Sequence, residues 1–157
     1  MKIGTPLLWL LGAIALTIVA TFQEYVENRR MWESHHLRLV DHLAYFATVN
    51  YCALFLAFAA GYAVMRYAFK LKPNEWLSLI QFGTVLAGVA LIIWPWVWFD
   101  LTGDRLWGGN PVRLFAITSG SQSIGFFVSW AGVFLTIPVV VDALRHRHTP
   151  ADGAIET

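Results

Sequence analysis

Four long runs of apolar residues, separated by shorter polar stretches, dominate this chain. The runs cover residues 6–26, 43–65, 76–98 and 122–144. Each run has the length of roughly 20 residues that a helix needs to cross about 30 Å of hydrocarbon. Because lipid offers the backbone no hydrogen-bond partner, apolar runs of this length are expected to be helices. The pattern predicts an all-α polytopic membrane protein, with one integral domain that is a bundle of four transmembrane helices.

Three polar connections and a tail complete the pattern. A charged connection covers residues 27–42, a short basic one covers 66–75, and a Gly-rich one covers 99–121. The turn signals TGD and GGNP predict that the last of these is an ordered outer loop rather than a helix. Hydroxyls and glycines in "TSGSQSIG", residues 118–125, are expected to cap the fourth helix. The polar tail, residues 145–157, is expected to be mobile.

The composition strengthens the membrane assignment. Hydrophobic residues make up 57% of the chain and charged residues 13%, against about 45–50% and about 25% in soluble domains. Eight tryptophans are present, and indole rings favour the boundary between headgroups and hydrocarbon. The net charge of +1 gives no reason to expect nucleic acid as a partner. A single cysteine, Cys52, excludes a disulfide within one chain.

The first apolar run also permits a second interpretation. Lys2, the run itself and "IVA" at residues 18–20 are compatible with a signal peptide cleaved after Ala20. A retained helix is the better interpretation, because the run is long for a signal peptide and the usual small residues are missing before the supposed cleavage site.

The basic residues of the connections give a weak indication of orientation. With both termini in the cytoplasm, six of them lie inside and five outside, and most of the acidic residues lie outside. The inner six are Lys2, Arg66, Lys70, Lys72, Arg145 and Arg147, and the outer five are Arg29, Arg30, Arg38, Arg105 and Arg113. We therefore expect a bacterial inner-membrane protein with cytoplasmic termini.

Polar and small residues within the runs predict how the helices pack. Asn50 and Gln81 are expected to hydrogen-bond between helices. Small residues recur at four-residue spacing, which lets helices approach closely within the chain or against another subunit. These small residues are Ala53, Ala57 and Gly61 in the second run, and Gly83 with Ala87 and Thr84 with Gly88 in the third.

The stretch "NRRMWESHHLRLVDHLAYF", residues 28–46, is the one stretch where positive charge, negative charge and three histidines crowd together. A metal site would need its ligands four residues apart on a helix or brought together by a bend. His35 and His42 are seven apart, and His36 and Asp41 are five apart. An interfacial role is therefore favoured over a metal site, over a cofactor contact and over a pH-sensitive contact with a partner. The residues of the alternative metal site are His35, His36, Asp41, His42, Asp100 and Asp104.

Three further classes of chemistry are disfavoured. Haem held between helices needs histidines within the spans, yet His146 and His148 lie beyond them, so no haem is expected on this chain alone. Ionisable residues at mid-depth mark proton relays and coupled transporters, and the runs hold none there. Gly120 and Gly125 lack the lysine and spacing of a phosphate loop, so no nucleotide motif is found.

Two functions remain open, with a transporter ranking third. The first is a non-catalytic integral subunit or assembly factor of a larger inner-membrane complex, such as a respiratory or electron-transfer complex, whose partners are other membrane subunits and the lipid bilayer. The second is a small membrane enzyme or metal-handling protein that works through its outer histidines and acids.

Overall fold

The computed structural model of the chain describes residues 4–34, 39–102 and 111–147, for some of which it gives the backbone alone. This part of the chain forms five helices: α1 (Thr5–Ser34), α2 (Leu39–Tyr67), α3 (Glu75–Thr102), α4 (Pro111–Phe134) and α5 (Thr136–Arg147). Four stretches are long and apolar enough to cross a membrane, namely Thr5–Val26, Tyr45–Tyr67, Glu75–Trp98 and Thr118–His146. The predicted all-helical fold with four membrane-length helices is confirmed for the described residues.

The helices extend further than the apolar runs. The charged connection begins inside α1, which ends at Ser34. The prediction of a loop over residues 99–121 is wrong at both ends, since α3 continues to Thr102 and α4 begins at Pro111, and residues 103–110 lie outside the described residues. Proline fits the first turn of a helix because its missing N–H would have no partner there.

The segment "TSGSQSIG" lies inside α4, so it is not the helix cap that the sequence predicts. Its serines stay compatible with a helix by hydrogen bonding to the preceding turn. The Ser119 hydroxyl donates to the carbonyl of Ala116 at 3.2 Å, and the Ser123 hydroxyl donates to the carbonyl of Ser119 at 2.9 Å. Such bonds within the helix satisfy hydroxyls that would otherwise compete with it.

The fourth apolar run is divided between α4 and α5. Pro138 has no N–H to donate to the carbonyl four residues before it, and its ring crowds that carbonyl. The carbonyl belongs to Phe134, where α4 ends. Backbone bonds continue across the break, from Leu135 N–H to Ala131 and from Val139 N–H to Leu135. The two helices therefore form one span with a local interruption.

Helices adjacent in sequence pack antiparallel in two close pairs, α1 with α2 and α3 with α4. The connection between Tyr67 and Glu75 marks one membrane face, called here the near face. The far face is the one at which α1 ends and α2 begins. Contacts of α3 with α1 and α2 join the pairs, whereas α4 has no Cα atom within 8 Å of α1 or α2 among the described residues. The arrangement is therefore open between α2 and α4.

An aromatic cluster joins α1, α2 and α3 in the half of the bundle towards the near face. Trp9 is fully buried, stacks on Phe58 with ring centroids 4.4 Å apart, and meets Phe55 and Phe82 edge-on at 5.0 Å each. Edge-on and offset stacked geometries suit the quadrupoles of the rings. This cluster is therefore an apolar contact between the two helix pairs.

Glycines set the distance between α3 and α4. A Cβ at Gly88 would overlap the backbone of Ser129 and lie 2.6 Å from the carbonyl oxygen of Gly125. A Cβ at Gly132 would lie 2.8 Å from the backbone nitrogen of Val85. Two turns of each helix thus pack backbone against backbone. Such close van der Waals packing stabilises helix pairs in lipid, where the hydrophobic effect does not drive helices together.

We expect Gly88→Ala to lower the free energy of unfolding in mixed micelles by about 1–3 kcal/mol, because the added methyl group forces the two backbones apart. Gly83→Ala is the matched control. It lies on the same helix, a Cβ there would meet nothing within 4 Å, and alanine is the better helix former, so it should leave stability unchanged or raise it by at most about 1 kcal/mol. Equal losses from both variants would contradict this packing.

Candidate functional site

The predicted histidine and acid cluster lies outside the described residues. His35, His36 and Asp104 fall in undescribed segments. Asp41 and His42 lie on the first turn of α2 and Asp100 near the end of α3, but only their backbones are described. Among the described residues no group of three metal-ligating side chains comes together. The metal site therefore stays a prediction.

Gln81 links three helices through its side-chain amide. It is fully buried on α3, where its Oε1 accepts a hydrogen bond from the hydroxyl of Tyr62 on α2. Its Nε2 donates to Thr136 Oγ1 at the start of α5, at 2.7 Å. Thr136 in turn donates to the carbonyl of Val133 at 2.6 Å. This chain of bonds satisfies the buried amide and ties the interrupted fourth span to the rest of the bundle.

A second buried polar pair joins α1 and α2 near the far face. The Thr48 hydroxyl donates to Gln23 Oε1 at 2.7 Å, and both residues are buried. One helix turn or more towards the near face, Thr17 Oγ1 lies 3.2 Å from Cys52 Sγ. Sequence reasoning missed the Gln23 pair, although a glutamine inside an apolar run is a signal that it needs a partner.

The small residues of α2 lie on a face that nothing in the described chain covers. Ala53, Ala57 and Gly61 are all exposed, and so is Asn50. At 100° per residue these four share an arc of about 80°. We call this arc the α2 stripe. Asn50 makes no hydrogen bond within the described residues, so the predicted bond from Asn50 to another helix is not found there.

The small residues of α3 divide in the same way. Gly83 and Ala87 are exposed, whereas Gly88 is buried against α4. Thr84 Oγ1 donates to the carbonyl of Ile80 within its own helix at 2.7 Å. Of the predicted packing glycines, only Gly88 therefore brings two helices of this chain together.

A cleft of about 740 Å³ opens between α2 and α4, with α3 as its floor. One wall carries Tyr51, the floor carries Trp96, and the other wall carries Phe126 and the hydroxyls of α4. Those hydroxyls belong to Thr118, Ser119 and Ser123. On the helical wheel Ala47, which also lines the cleft, lies about 40° from the edge of the α2 stripe and Tyr51 about 80°, so the stripe and the cleft are neighbouring uncovered faces.

The tryptophans of "WPWVWFD" split between two roles. Trp94 and Trp98 are exposed with ring centroids 5.7 Å apart, as an aromatic belt at the membrane boundary requires. Trp96 instead turns inward to the floor of the cleft, and its Nε1 has no acceptor among the described residues.

Comparison of the chain with known proteins finds no matching family model, no matching curated protein and no matching solved structure.

The interhelical bond at Gln81 can be measured by a double-mutant cycle of Tyr62→Phe and Gln81→Leu. We expect a coupling energy of about 0.6–1.7 kcal/mol, the range found for hydrogen bonds between membrane helices. Thr84→Val is the control, because Thr84 bonds only its own helix, and it should show no coupling to Tyr62→Phe. Additive effects of the two main variants would show that this bond contributes nothing to stability.

Proposed function

We propose that this chain is a non-catalytic integral subunit or accessory protein of a larger membrane complex, in a bacterial-type inner membrane and with both termini in the cytoplasm. The observation that carries the proposal is the α2 stripe. Three small residues and one asparagine share an uncovered face of a membrane span. Small residues let a second helix approach closely, and an asparagine amide within an apolar span gains from a partner that hydrogen-bonds it.

The neighbouring cleft supports the same proposal. A helix lying on the α2 stripe would have its side chains over the opening between α2 and α4. There the Ser119 and Ser123 hydroxyls, which donate within their own helix and can still accept, would supply polar contacts beside an aromatic wall. The partner is therefore a transmembrane helix with small residues towards α2 and larger side chains towards the cleft.

The interior of the chain supports a structural role over a transport role. The buried polar groups Gln81 and Thr48 are engaged in hydrogen bonds between helices. The apolar runs hold no ionisable residue at mid-depth, and such residues are the usual carriers of protons and coupled ions. Inside the bundle the polar side chains thus hold helices together.

A photoreactive residue placed at Ala57 in native membranes tests the proposal. We expect it to form one discrete adduct with a different polypeptide, because Ala57 is at the centre of the α2 stripe. The same residue at Leu56 is the matched control, one position away, also exposed, and turned by 100° to another face of the helix. Leu56 should give no polypeptide adduct.

Three outcomes would count against the proposal. The first is the absence of any polypeptide adduct from Ala57, and the second is the same set of adducts from both positions. The third is an adduct only with a second copy of this chain, which would make it a homo-oligomer. Bound metal on a lone purified chain would instead favour the enzyme or metal-handling hypothesis.

A further inference from the structure

A pocket of about 380 Å³ opens at the near face, where the start of α1, the end of α2 and the start of α3 meet. Its volume is many times the roughly 30 Å³ that one water molecule occupies in the liquid. The pocket lies outside the α2 stripe and the cleft, so it is independent of the proposed partner helix.

Three cations line this pocket. Arg66 comes from the last turn of α2, and Lys70 and Lys72 come from the connection to α3. One carboxylate, that of Glu75, lines it as well. None of the three cations forms an ion pair within the described residues, so the pocket carries an uncompensated positive charge. The first turn of α1 adds the positive end of its helix dipole, since Thr5 and Pro6 also line the pocket.

Lys70 holds a backbone conformation that a side chain rarely adopts. Its φ is 54°, in the left-handed region, where glycine is the usual residue at the end of a helix. The following N–H, of Leu71, donates to the carbonyl of Met65 at 2.9 Å and closes the end of α2. A lysine where glycine fits best costs some stability, and such strain is concentrated at binding sites. Here the left-handed conformation places the Lys70 side chain at the wall of the pocket.

An apolar groove of about 630 Å³ runs from the same place along the outer surface of α1 and α2. Its walls are aliphatic, with Leu7 and Leu10 on α1 and Leu56 and Ala60 on α2. Arg66 and Tyr67 line both the groove and the pocket. The Arg66 guanidinium lies across the start of α1, with Nη1 3.0 Å from where a Cβ of Gly4 would be. A basic pocket at headgroup level is thus continuous with an apolar channel at the depth of the acyl chains.

We propose that this near-face site binds one anionic phospholipid, whose phosphate is held in the pocket by Arg66, Lys70 and Lys72 and whose acyl chain lies in the α1–α2 groove. Unpaired cations at the membrane surface attract anionic headgroups, and basic pockets between membrane helices suit them particularly well. The aliphatic groove adds a contact that a free phosphate cannot make. The occupant is therefore a lipid rather than a soluble anion.

Native mass spectrometry of the purified full-length chain tests this site with phosphatidylglycerol and with phosphatidylcholine of the same acyl chains. One phosphatidylglycerol should stay bound, and phosphatidylcholine should not. Arg66→Gln should weaken phosphatidylglycerol binding about fivefold, as the loss of one cation near the headgroup predicts. Arg145→Gln is the control, because it removes the same charge from the same membrane face outside the pocket and should leave binding unchanged.

The groove is tested separately by Ala60→Phe, which fills it without changing the charge. This variant should also weaken phosphatidylglycerol binding, whereas Ala57→Phe at the centre of the α2 stripe, which does not line the groove, should not. Equal retention of phosphatidylcholine would overturn the proposal, as would equal effects of the two arginine variants. Stabilisation by inorganic phosphate alone, to the same extent as by phosphatidylglycerol, would show that the pocket takes a soluble anion.

Discussion

The structure depends on one constraint, which is that the hydrocarbon core supplies no hydrogen-bond partner. Backbone groups within the spans must bond inside their own helix, and buried side-chain polar groups must find partners on a neighbouring helix. Gln81 does so with Tyr62 and Thr136, and Gln23 does so through its Oε1 with Thr48, whereas Gln23 Nε2 has no partner among the described residues. These bonds lie where the helices meet. Side chains that would be costly to bury without a partner therefore fix the register of the neighbouring helices. The hydroxyls of α4 meet the constraint differently, by bonding to carbonyls of their own helix.

Apolar side chains give lipid-embedded helices little reason to associate, so close packing decides which faces meet. On the α3–α4 side, Gly88, Gly125 and Gly132 allow backbone contact. On the α1–α2–α3 side, the rings around Trp9 fill the interior instead. Among the described residues, the two modes leave α4 in contact with α3 and α5 but not with α1 or α2, and they leave α2 uncovered on the side towards α4. The proposed subunit role and the lipid site use neighbouring parts of the α2 surface, the small residues of the stripe and the cations at the near-face end of the helix.

The membrane spans were predictable because length and apolarity alone define them. A span can be recognised without knowing which other helix it packs against. The faces themselves were not predictable. A helix surrounded by lipid is apolar on every side, so the sequence gives equal weight to the pairs Gly83 with Ala87 and Thr84 with Gly88, although only Gly88 meets α4. The start of α4 was missed because glycine, serine and proline favour turns in water, whereas the membrane rewards any helix that satisfies its backbone. In the sequence, Lys70 and Lys72 indicate only the orientation of the chain in the membrane. Their position beside Arg66 depends on the turn after α2, which the apolar pattern does not predict.

The central claim is that the uncovered face of α2 belongs to an interface with a different polypeptide. The most direct measurement is the intact mass of the assembly extracted from its own membrane in mild detergent. We expect to find this chain in a fixed ratio with another polypeptide. Ala57→Trp should disrupt that association, and Leu56→Trp should leave it intact. A monodisperse lone chain, or an assembly made only of copies of this chain, would contradict it.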